Sequence, residues 1–358
     1  MRVGILGDGL TSLTLAKAFV NMNINVEVYS EKKKQIIDQS RTIGITKSNL
    51  EFFSENIINI EKIIWRLNKI EINSQKLPKE ELIKFENNND QLFSMVRNNK
   101  LYEILEINLK KNKFYKISYK KNLLSILDKH DLIINLNPIN LVSKKFFSNK
   151  IKKSYQSVAY TAHLKHNKIK NRTASQIFTK IGPLAFLPLS DTETSVVYSI
   201  NKSDFIKKEK FIELINYHNS KYKIKQIIKI SSFELNSINL RCYYYKNILA
   251  FGDLIHKIHP LAGQGFNMTI RDIKILLKII KNKIELGLPI DTSVNQEFQN
   301  KIKHTNFIFS NGIDFVYEFF NIDRKIKNNA LIKSLKFFGK TESLNKIFKK
   351  IADKGLIY

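Results

Sequence analysis

The chain has 358 residues, of which 43% are hydrophobic, 11% aromatic and 26% charged. This balance is typical of a folded globular protein and excludes a disordered one. The formal net charge of +28 favours an anionic partner such as a lipid surface. Nucleic acid is disfavoured, because neither an RNA-binding motif nor a zinc spacing accompanies the charge. A general enrichment in lysine across the chain is the alternative explanation of the charge.

The single cysteine, Cys242, excludes an intramolecular disulfide and a cysteine-rich metal site, and we predict no bound metal. The first residues run directly into a strand pattern, without the basic and apolar regions of an export signal. The longest nearly continuous apolar stretch, Ile181 to Leu189, falls short of the roughly 20 residues that a membrane-spanning helix needs. We therefore expect a cytoplasmic protein that does not cross a membrane, although it can touch the inner face of one.

A strand, a glycine turn and a helix follow one another at the start of the chain. Arg2 to Leu6 has a strand pattern, and the turn after it precedes apolar residues at helical spacing. The first glycine permits a tight turn, the second lets the backbone approach a pyrophosphate, and the helix N-terminus attracts the negative charge. A serine replaces the usual third glycine. The pattern predicts a dinucleotide phosphate site made by Gly7, Gly9, Leu10, Thr11 and Ser12.

The second strand, Asn25 to Tyr29, ends about 20 residues beyond the glycines, where a carboxylate accepts hydrogen bonds from an adenosine ribose. Strict spacing puts Ser30 at that position, so Glu31 requires a shift of one residue. A solvated glutamate at the end of a strand is the alternative. We predict Glu31 as the ribose ligand.

A second glycine-rich loop begins after the strand pattern at Ile248 and continues to Asn267, where a helix starts. It resembles the aromatic-ring flavin monooxygenases, whose motif reads Gly-Asp-Ala-Ala-His, two residues, His-Pro, two residues, Gly-Gln-Gly, one residue, Asn. The resemblance implies that Asp253 binds the ribityl hydroxyls of FAD. The helix N-terminus would face the flavin pyrimidine. The implied ligands there are Gly263, Gln264, Gly265, Phe266 and Asn267.

Three further segments are similar to the same family, in the family's order. Arg41 to Ile45 resembles the arginine motif that contacts FAD, and Met95 to Leu101 resembles the stretch before the helix that re-enters the FAD domain, with Asn98 at the family's asparagine. Gly182 to Leu189 is similar to a strand motif of the ubiquinone-biosynthesis hydroxylases, although a buried strand bounded by prolines is the alternative. The resemblance covers residues 1 to about 300.

One departure concerns the Asp-Gly motif that the family places after a strand near the middle of the chain. Asn137 and Pro138 stand there instead. The asparagine keeps its hydrogen-bonding capacity but loses the charge, and the proline removes an N–H and cannot adopt a positive φ. Direct reduction by NAD(P)H is therefore less certain than FAD binding.

The fold implied is of the α/β class, with a split Rossmann-type FAD-binding domain formed by residues 1–75, 95–150 and 240–300. Residues 76–94 and 151–239 would form a substrate domain with an antiparallel sheet. Residues 301–358 have helical apolar spacing with many aromatic side chains. Such a stripe packs on its own domain or faces a membrane or a partner.

The resemblance implies an FAD-dependent monooxygenase that hydroxylates the ring of a polyprenylated phenol in ubiquinone biosynthesis, with molecular oxygen and a flavin hydroperoxide. Phe186, His259 and Pro260 are candidates for the substrate pocket, and no residue is identified as a general base. Histidines in such loops are more often structural than catalytic. The alternative is a non-catalytic or separately reduced flavin-binding subunit of a quinone-biosynthesis complex, which the Asn137-Pro138 departure motivates.

Overall fold

The computed structural model describes residues 1–31, 37–86, 91–120, 122–204, 206–259 and 263–325. The helices are α1 (Leu10–Asn21), α2 (Lys47–Asn56), α3 (Asn98–Lys110), α4 (Leu141–Phe146), α5 (Lys208–His218), α6 (Gln264–Glu285) and α7 (Thr292–Lys325). The strands are β1 (Arg2–Leu6), β2 (Asn25–Ser30), β3 (Thr42–Thr46), β4 (Ile64–Leu67), β5 (Lys69–Ser74), β6 (Leu77–Glu86), β7 (Phe93–Arg97), β8 (Tyr115–Tyr119), β9 (Leu132–Asn135), β10 (Lys150–His166), β11 (Thr173–Phe178), β12 (Pro183–Pro188), β13 (Glu193–Asn201), β14 (Ile224–Leu240), β15 (Tyr244–Tyr245), β16 (Ile248–Ala250) and β17 (His256–Lys257).

The first sheet has the strand order β15-β16-β9-β1-β2-β8. All its neighbours pair in parallel except β15 and β16, which form an antiparallel hairpin. Its central strands are short apolar runs, as expected of strands covered on both faces. Val3, Ile5 and Ile134 are fully buried, in one core with side chains of α1, α3 and α6.

The order of the strands switches at β1, because β2 is added on one side of it and β9 on the other, both parallel to it. The carboxyl ends of β1, β9 and β16 therefore meet at one edge. Ligands of open α/β sheets bind at such a switch point.

The second sheet has the order β17-β14-β10-β13-β12-β11-β5-β6 and is antiparallel except for the parallel pair β5 and β11. Phe211 and Ile215 of α5 pack in one core with Leu184 and Phe186 of β12. A small third sheet, β3-β7-β4, packs Ile45 and Val96 in the core of the parallel sheet and Leu67 and Met95 against Ala174 of β11. The α/β class with an antiparallel second sheet is confirmed.

Two expected boundaries differ from the structure. Residues 69–74 were expected in the FAD-binding domain, but as β5 they pair with β6 and β11 in the antiparallel sheet. A strand pattern does not reveal its partner, because the pairing is made by residues far away in the chain. The C-terminal helix begins at Thr292 and not near residue 301. The predicted helical pattern beyond residue 325 lies outside the described residues.

In the part of the chain that the structure describes, no helix is both long enough and apolar enough to span a bilayer.

Candidate active site

Three loops converge at the carboxyl edge of the parallel sheet. Gly7 ends β1 with φ +110°, and a Cβ built on it would lie 3.7 Å from Cβ of Asn137, in the loop after β9. Gly252, after β16, has φ +60°, and its Cβ would lie 3.2 Å from Cγ2 of Thr11. Both glycines adopt the backbone region that side chains disfavour. The loops after β1, β9 and β16 therefore form one site.

The N-terminus of α1 opens onto this site. Gly9 is the N-cap residue; among the described residues, no side chain caps the helix and a Cβ built on Gly9 would meet no heavy atom within 4 Å. The helix N–H groups and the open space together fit an anionic group such as a phosphate. Ser12 has a different place: it is buried, and its Oγ lies 3.6 Å from the Cβ position of Gly7. It fills the small position of the third glycine.

A cavity of about 840 Å³ lies between this edge and the antiparallel sheet. Its first wall contains Leu10, Thr11 and Asp253 together with the start of α6. Its opposite wall contains Thr161, Ala185 and other residues of the antiparallel sheet. A cavity between two domains, with one apolar wall and a few polar groups, is typical of a site for a large ligand.

The backbone at the start of α6 allows a ligand in the cavity to approach closely. Gly263 caps the helix in the left-handed conformation, with φ +62°, and no side chain caps it. Gly263, Gln264, Gly265 and Phe266 all line the cavity, as the sequence motif indicated. The partial positive charge of this helix end therefore faces the cavity.

Arg41 and Asn98 meet at the cavity wall. The backbone nitrogen of Asn98 donates a 3.1 Å hydrogen bond to the backbone oxygen of Arg41, and both residues line the cavity. The guanidinium of Arg41 lies 4.2 Å from the ring centroid of Phe233, which holds it along the wall. The structure thus brings together two segments that are more than 50 residues apart in the chain.

No family model matches the sequence. The 3-demethoxyubiquinol 3-hydroxylase of Escherichia coli K12 is 29% identical over 153 residues, covering 41% of the chain and 39% of the relative. A ubiquinone biosynthesis monooxygenase, COQ6, of Caenorhabditis elegans is 24% identical over 197 residues, covering 43% and 44%. The chain is related to the ubiquinone-biosynthesis hydroxylases. It spans about two fifths of the length of these curated relatives.

Solved structures extend the likeness to the whole chain. The p-nitrophenol 4-monooxygenase PnpA of Pseudomonas putida matches with a TM-score of 0.77 at 12% identity, over 98% of both chains. HpxO of Klebsiella pneumoniae, complexed with FAD, matches with a TM-score of 0.75 at 11% identity, over 99% of both chains. The chain has the fold of the FAD-dependent aromatic monooxygenases, which confirms the resemblance in the sequence.

Asn267, predicted as a cofactor ligand, contacts the protein. Its Nδ2 donates to the backbone oxygen of Gly44, and its Oδ1 accepts from the backbone nitrogen of Thr46 and from Asn49, all at 3.0 Å. Its side chain is absent from the cavity lining. The side chain of Asn267 therefore joins α6 to β3 and α2, and a direct contact of this residue with the cofactor stays a prediction.

Phe186 was predicted to face the substrate, and this is wrong. Its side chain is 3% exposed and packs beside Tyr222, on the side of the sheet that α5 covers. Successive side chains of a strand point to opposite faces. Its neighbours Ala185 and Leu187 consequently line the cavity.

His259 does line the cavity, and Pro260 lies outside the described residues. The ring of His259 packs against those of Tyr155 and Tyr317, with centroids 4.9 and 4.5 Å away, and the two tyrosine rings lie 5.1 Å from each other. Burial lowers the pKa of His259 to about 3, so the ring is neutral at physiological pH. The other loop histidine, His256, has its Nε2 2.7 Å from a carboxylate oxygen of Asp272, where both side chains are buried.

Glu31 is exposed at the end of β2. Ser30, the residue at the strictly spaced position, donates a 2.6 Å hydrogen bond to Oδ2 of Asp8 in the glycine turn. Asp8 and Ser30 thus form a polar pair at the place where a ribose is expected. The role of Glu31 stays a prediction.

Asn137 and Pro138 form an ordered turn beside Gly7. Oδ1 of Asn137 accepts from the backbone nitrogen of Ile139 at 3.0 Å, and Asn140 caps α4 by accepting from the backbone nitrogen of Ser143 at 2.8 Å. The side-chain oxygen of Asn137 is therefore engaged within its own loop.

Sequence reasoning missed a large apolar part of the cavity wall, contributed by β5, β6 and β7. The alternation of isoleucine with polar residues in 69–74 was the available signal. The side chains concerned are Ile70, Ile72, Phe85, Phe93 and Met95.

Proposed function

We propose that the chain binds FAD, with its phosphates at the glycine turn and its flavin in the cavity beside α6. The observation that carries the proposal is the convergence of two uncapped helix N-termini and three strand ends on one continuous site. The open space at Gly9 and the backbone exposed at Gly263 provide room for phosphates and for a flat ring. Helix N-termini favour the negative charges of both.

We further propose that the enzyme hydroxylates an electron-rich phenolic ring with molecular oxygen. Bound FAD, once reduced, supplies the activation of oxygen. The chain itself orients the ring between the cavity walls, excludes water and stabilises negative charge near α6. Ala185, Leu187 and the neutral His259 line the cavity and offer an uncharged surface to such a ring.

The substrate proposed is a phenol with a polyprenyl tail, from ubiquinone biosynthesis. The apolar side chains Ile70, Ile72 and Phe85 of the antiparallel sheet support it, because they offer a surface for an aliphatic tail. The names of the sequence relatives support the pathway. NAD(P)H is the proposed electron donor.

The test of this activity is incorporation of isotope-labelled oxygen into a short-chain prenylphenol by the FAD-loaded enzyme with NADPH. Mass spectrometry is expected to show the label in the ring. Oxidation of NADPH that yields only hydrogen peroxide for every phenol tested would contradict the proposal.

A second candidate is a flavin subunit that another protein reduces, within a quinone-biosynthesis complex. Pro138 favours it, because the residue after Asn137 offers no N–H beside the proposed phosphate site. Anaerobic titration of the FAD-loaded protein with NADPH and then with dithionite separates the two. Bleaching by NADPH supports the self-sufficient enzyme, and bleaching by dithionite alone supports the separate reductant.

We also propose peripheral membrane contact through α7, at the inner face of the cytoplasmic membrane. Ile308, Phe315 and Ile322 lie seven residues apart on one helix face and are 56%, 70% and 53% exposed. Apolar side chains on a basic protein favour an anionic bilayer surface. Phe315→Glu should reduce binding to anionic vesicles in a flotation assay. Tyr217→Glu, at an exposed position of α5, is the control. Equal binding by the wild type, Phe315→Glu and Tyr217→Glu would refute the contact.

A further inference from the structure

His163, in β10, lies fully buried behind the wall of the cavity. Its Nδ1 is 3.1 Å from Oε1 of Glu193, and its Nε2 is 3.1 Å from the backbone oxygen of Ser40. A backbone oxygen can only accept a hydrogen bond, and so can an ionised carboxylate. A neutral imidazole has one N–H, so it can satisfy only one of these two contacts.

Glu193 is held in its ionised form. The hydrogen bond from His163 is the main cause, and the nearby Arg97 guanidinium adds to it, so that the pKa of Glu193 falls to about 2 although burial opposes this. Nη2 of Arg97 donates to Oε2, the second carboxylate oxygen of Glu193. The ion pair with Arg97 thus favours the carboxylate form of Glu193, in which both oxygens are acceptors.

We infer that His163 is a doubly protonated imidazolium that positions Arg41 and Asn98 for cofactor binding. Ser40, whose carbonyl His163 binds, directly precedes Arg41. Arg97, which Glu193 binds, directly precedes Asn98. The backbone nitrogen of Asn98 in turn donates a 3.1 Å hydrogen bond to the backbone oxygen of Arg41, so the two segments are linked at both ends. This inference rests on the proposed FAD site, because it concerns how two residues of the cavity wall are held in place. It does not concern the reaction itself.

Further bonds attach the same segment to the antiparallel sheet. Oγ of Ser40 lies 2.7 Å from Oγ1 of Thr161, and Ser231 donates to Asp38 at 3.0 Å. Asp38 is also 3.9 Å from Nε of Arg41. Burial opposes ionisation of Asp38, yet hydrogen bonds from Ser40 and Ser231 lower its pKa overall. With Arg97 and Glu193, Asp38 and Arg41 are the charged groups of this network.

The sign of the pH effect follows from the geometry. Both bonds of His163 exist only while the ring carries its extra proton. Removal of that proton as the pH rises leaves one nitrogen lone pair facing an acceptor oxygen, which is repulsive. The Ser40 contact or the Glu193 contact must then break, and the Arg41 segment loosens.

His166, three residues along β10, is a matched control. It is also buried, with Nδ1 2.8 Å from the backbone oxygen of Asn167 and Nε2 2.9 Å from Oγ1 of Thr194. The Thr194 hydroxyl can donate to Nε2. A neutral ring therefore satisfies both contacts of His166, and no pH response is expected from it.

The first test is nitrogen NMR of protein labelled at histidine, with His163→Gln to assign the resonance. Both ring nitrogens of His163 are expected to carry protons near about pH 7, whereas His166 is expected to show one neutral tautomer. A neutral His163 at that pH would overturn the inference. This readout needs no FAD, so it is independent of the proposed function.

The second test measures the FAD dissociation constant by flavin fluorescence at about pH 6 and about pH 9. In the wild type and in His166→Gln, the constant should rise by about tenfold between the two. In His163→Gln it should be high at both. Glu193→Gln should bind FAD equally at both, since the new amide can donate to Nδ1 of a neutral ring.

An identical pH response of the wild type, His163→Gln and Glu193→Gln would refute the positioning role. Absence of FAD binding by the wild type would refute the proposed function instead, and the NMR result would still decide the charge of His163.

Discussion

Nδ2 of Asn267 donates a 3.0 Å hydrogen bond to the backbone oxygen of Gly44. The bond fixes the start of α6 against β3, and both elements line the cavity. A Cβ built on Gly263 would lie 3.8 Å from the backbone nitrogen of Gly44, at ordinary contact distance, so the helix cap lies directly beside β3. The side chain of Asn267 thus holds the start of α6 against β3.

Replacement of Asn267 tests this role. Asn267→Ala removes the hydrogen bonds that this side chain makes to the buried oxygen of Gly44 and the nitrogen of Thr46, and should cost about 2 to 3 kcal/mol of unfolding free energy. Chemical denaturation measures it. Asn108→Ala, on the exposed face of α3, should change stability by less than about 0.5 kcal/mol. Equal losses in the two variants would contradict the role of Asn267.

Replacement of Gly9 is expected to weaken FAD binding without lowering the stability of the fold. The backbone of Gly9 is extended, with φ −70° and ψ 175°, and a Cβ would have no heavy atom within 4 Å in the part of the chain that the structure describes. Gly9→Ala should therefore keep the melting temperature of the wild type but weaken FAD binding by at least about tenfold, because the methyl group occupies the space proposed for a phosphate. Unchanged FAD affinity would show that the phosphate lies elsewhere.

Gly182, at the start of the strand motif, lets the backbone pass close to the backbone of β13. Its φ is +152°, and a Cβ would lie 1.7 Å from the backbone oxygen of Ser199. Gly182→Ala should destabilise the protein by more than about 2 kcal/mol in thermal or urea unfolding. Gly312→Ala, in α7 with open space around it, should instead stabilise by about 0.5 to 1 kcal/mol.

Local turns could be predicted from the sequence, whereas contacts between distant segments could not. The turns at Gly7 and Gly9 and the loop from Gly263 to Phe266 form as the sequence indicates, because each turn is determined by residues next to it in the chain, and their role as FAD ligands stays a prediction. Phe186 was assigned to the wrong face, since which face of β12 is covered depends on α5. The contacts of Asn267 and the hydrogen bonds of His163 join distant segments, and no local pattern indicates them.

His259 should make stability depend on pH. The unfolded chain takes up a proton at this ring as the pH falls below the ordinary value of 6.5, whereas the folded chain does so only near about 3. The unfolded state therefore binds more protons between these values, and stability is lost as the pH falls through this window. His259→Phe should flatten the slope of unfolding free energy against pH, while His304→Asn, at an exposed position of α7, should leave it unchanged. A slope that His259→Phe does not alter would contradict the buried neutral ring.

The central claim is that this chain holds FAD, and absorbance spectroscopy tests it most directly. The purified protein is incubated with FAD, freed of unbound cofactor by gel filtration, and its spectrum recorded together with a circular dichroism spectrum that verifies folding. We predict a retained flavin spectrum that Gly9→Ala diminishes. A folded protein that retains no flavin would contradict the account.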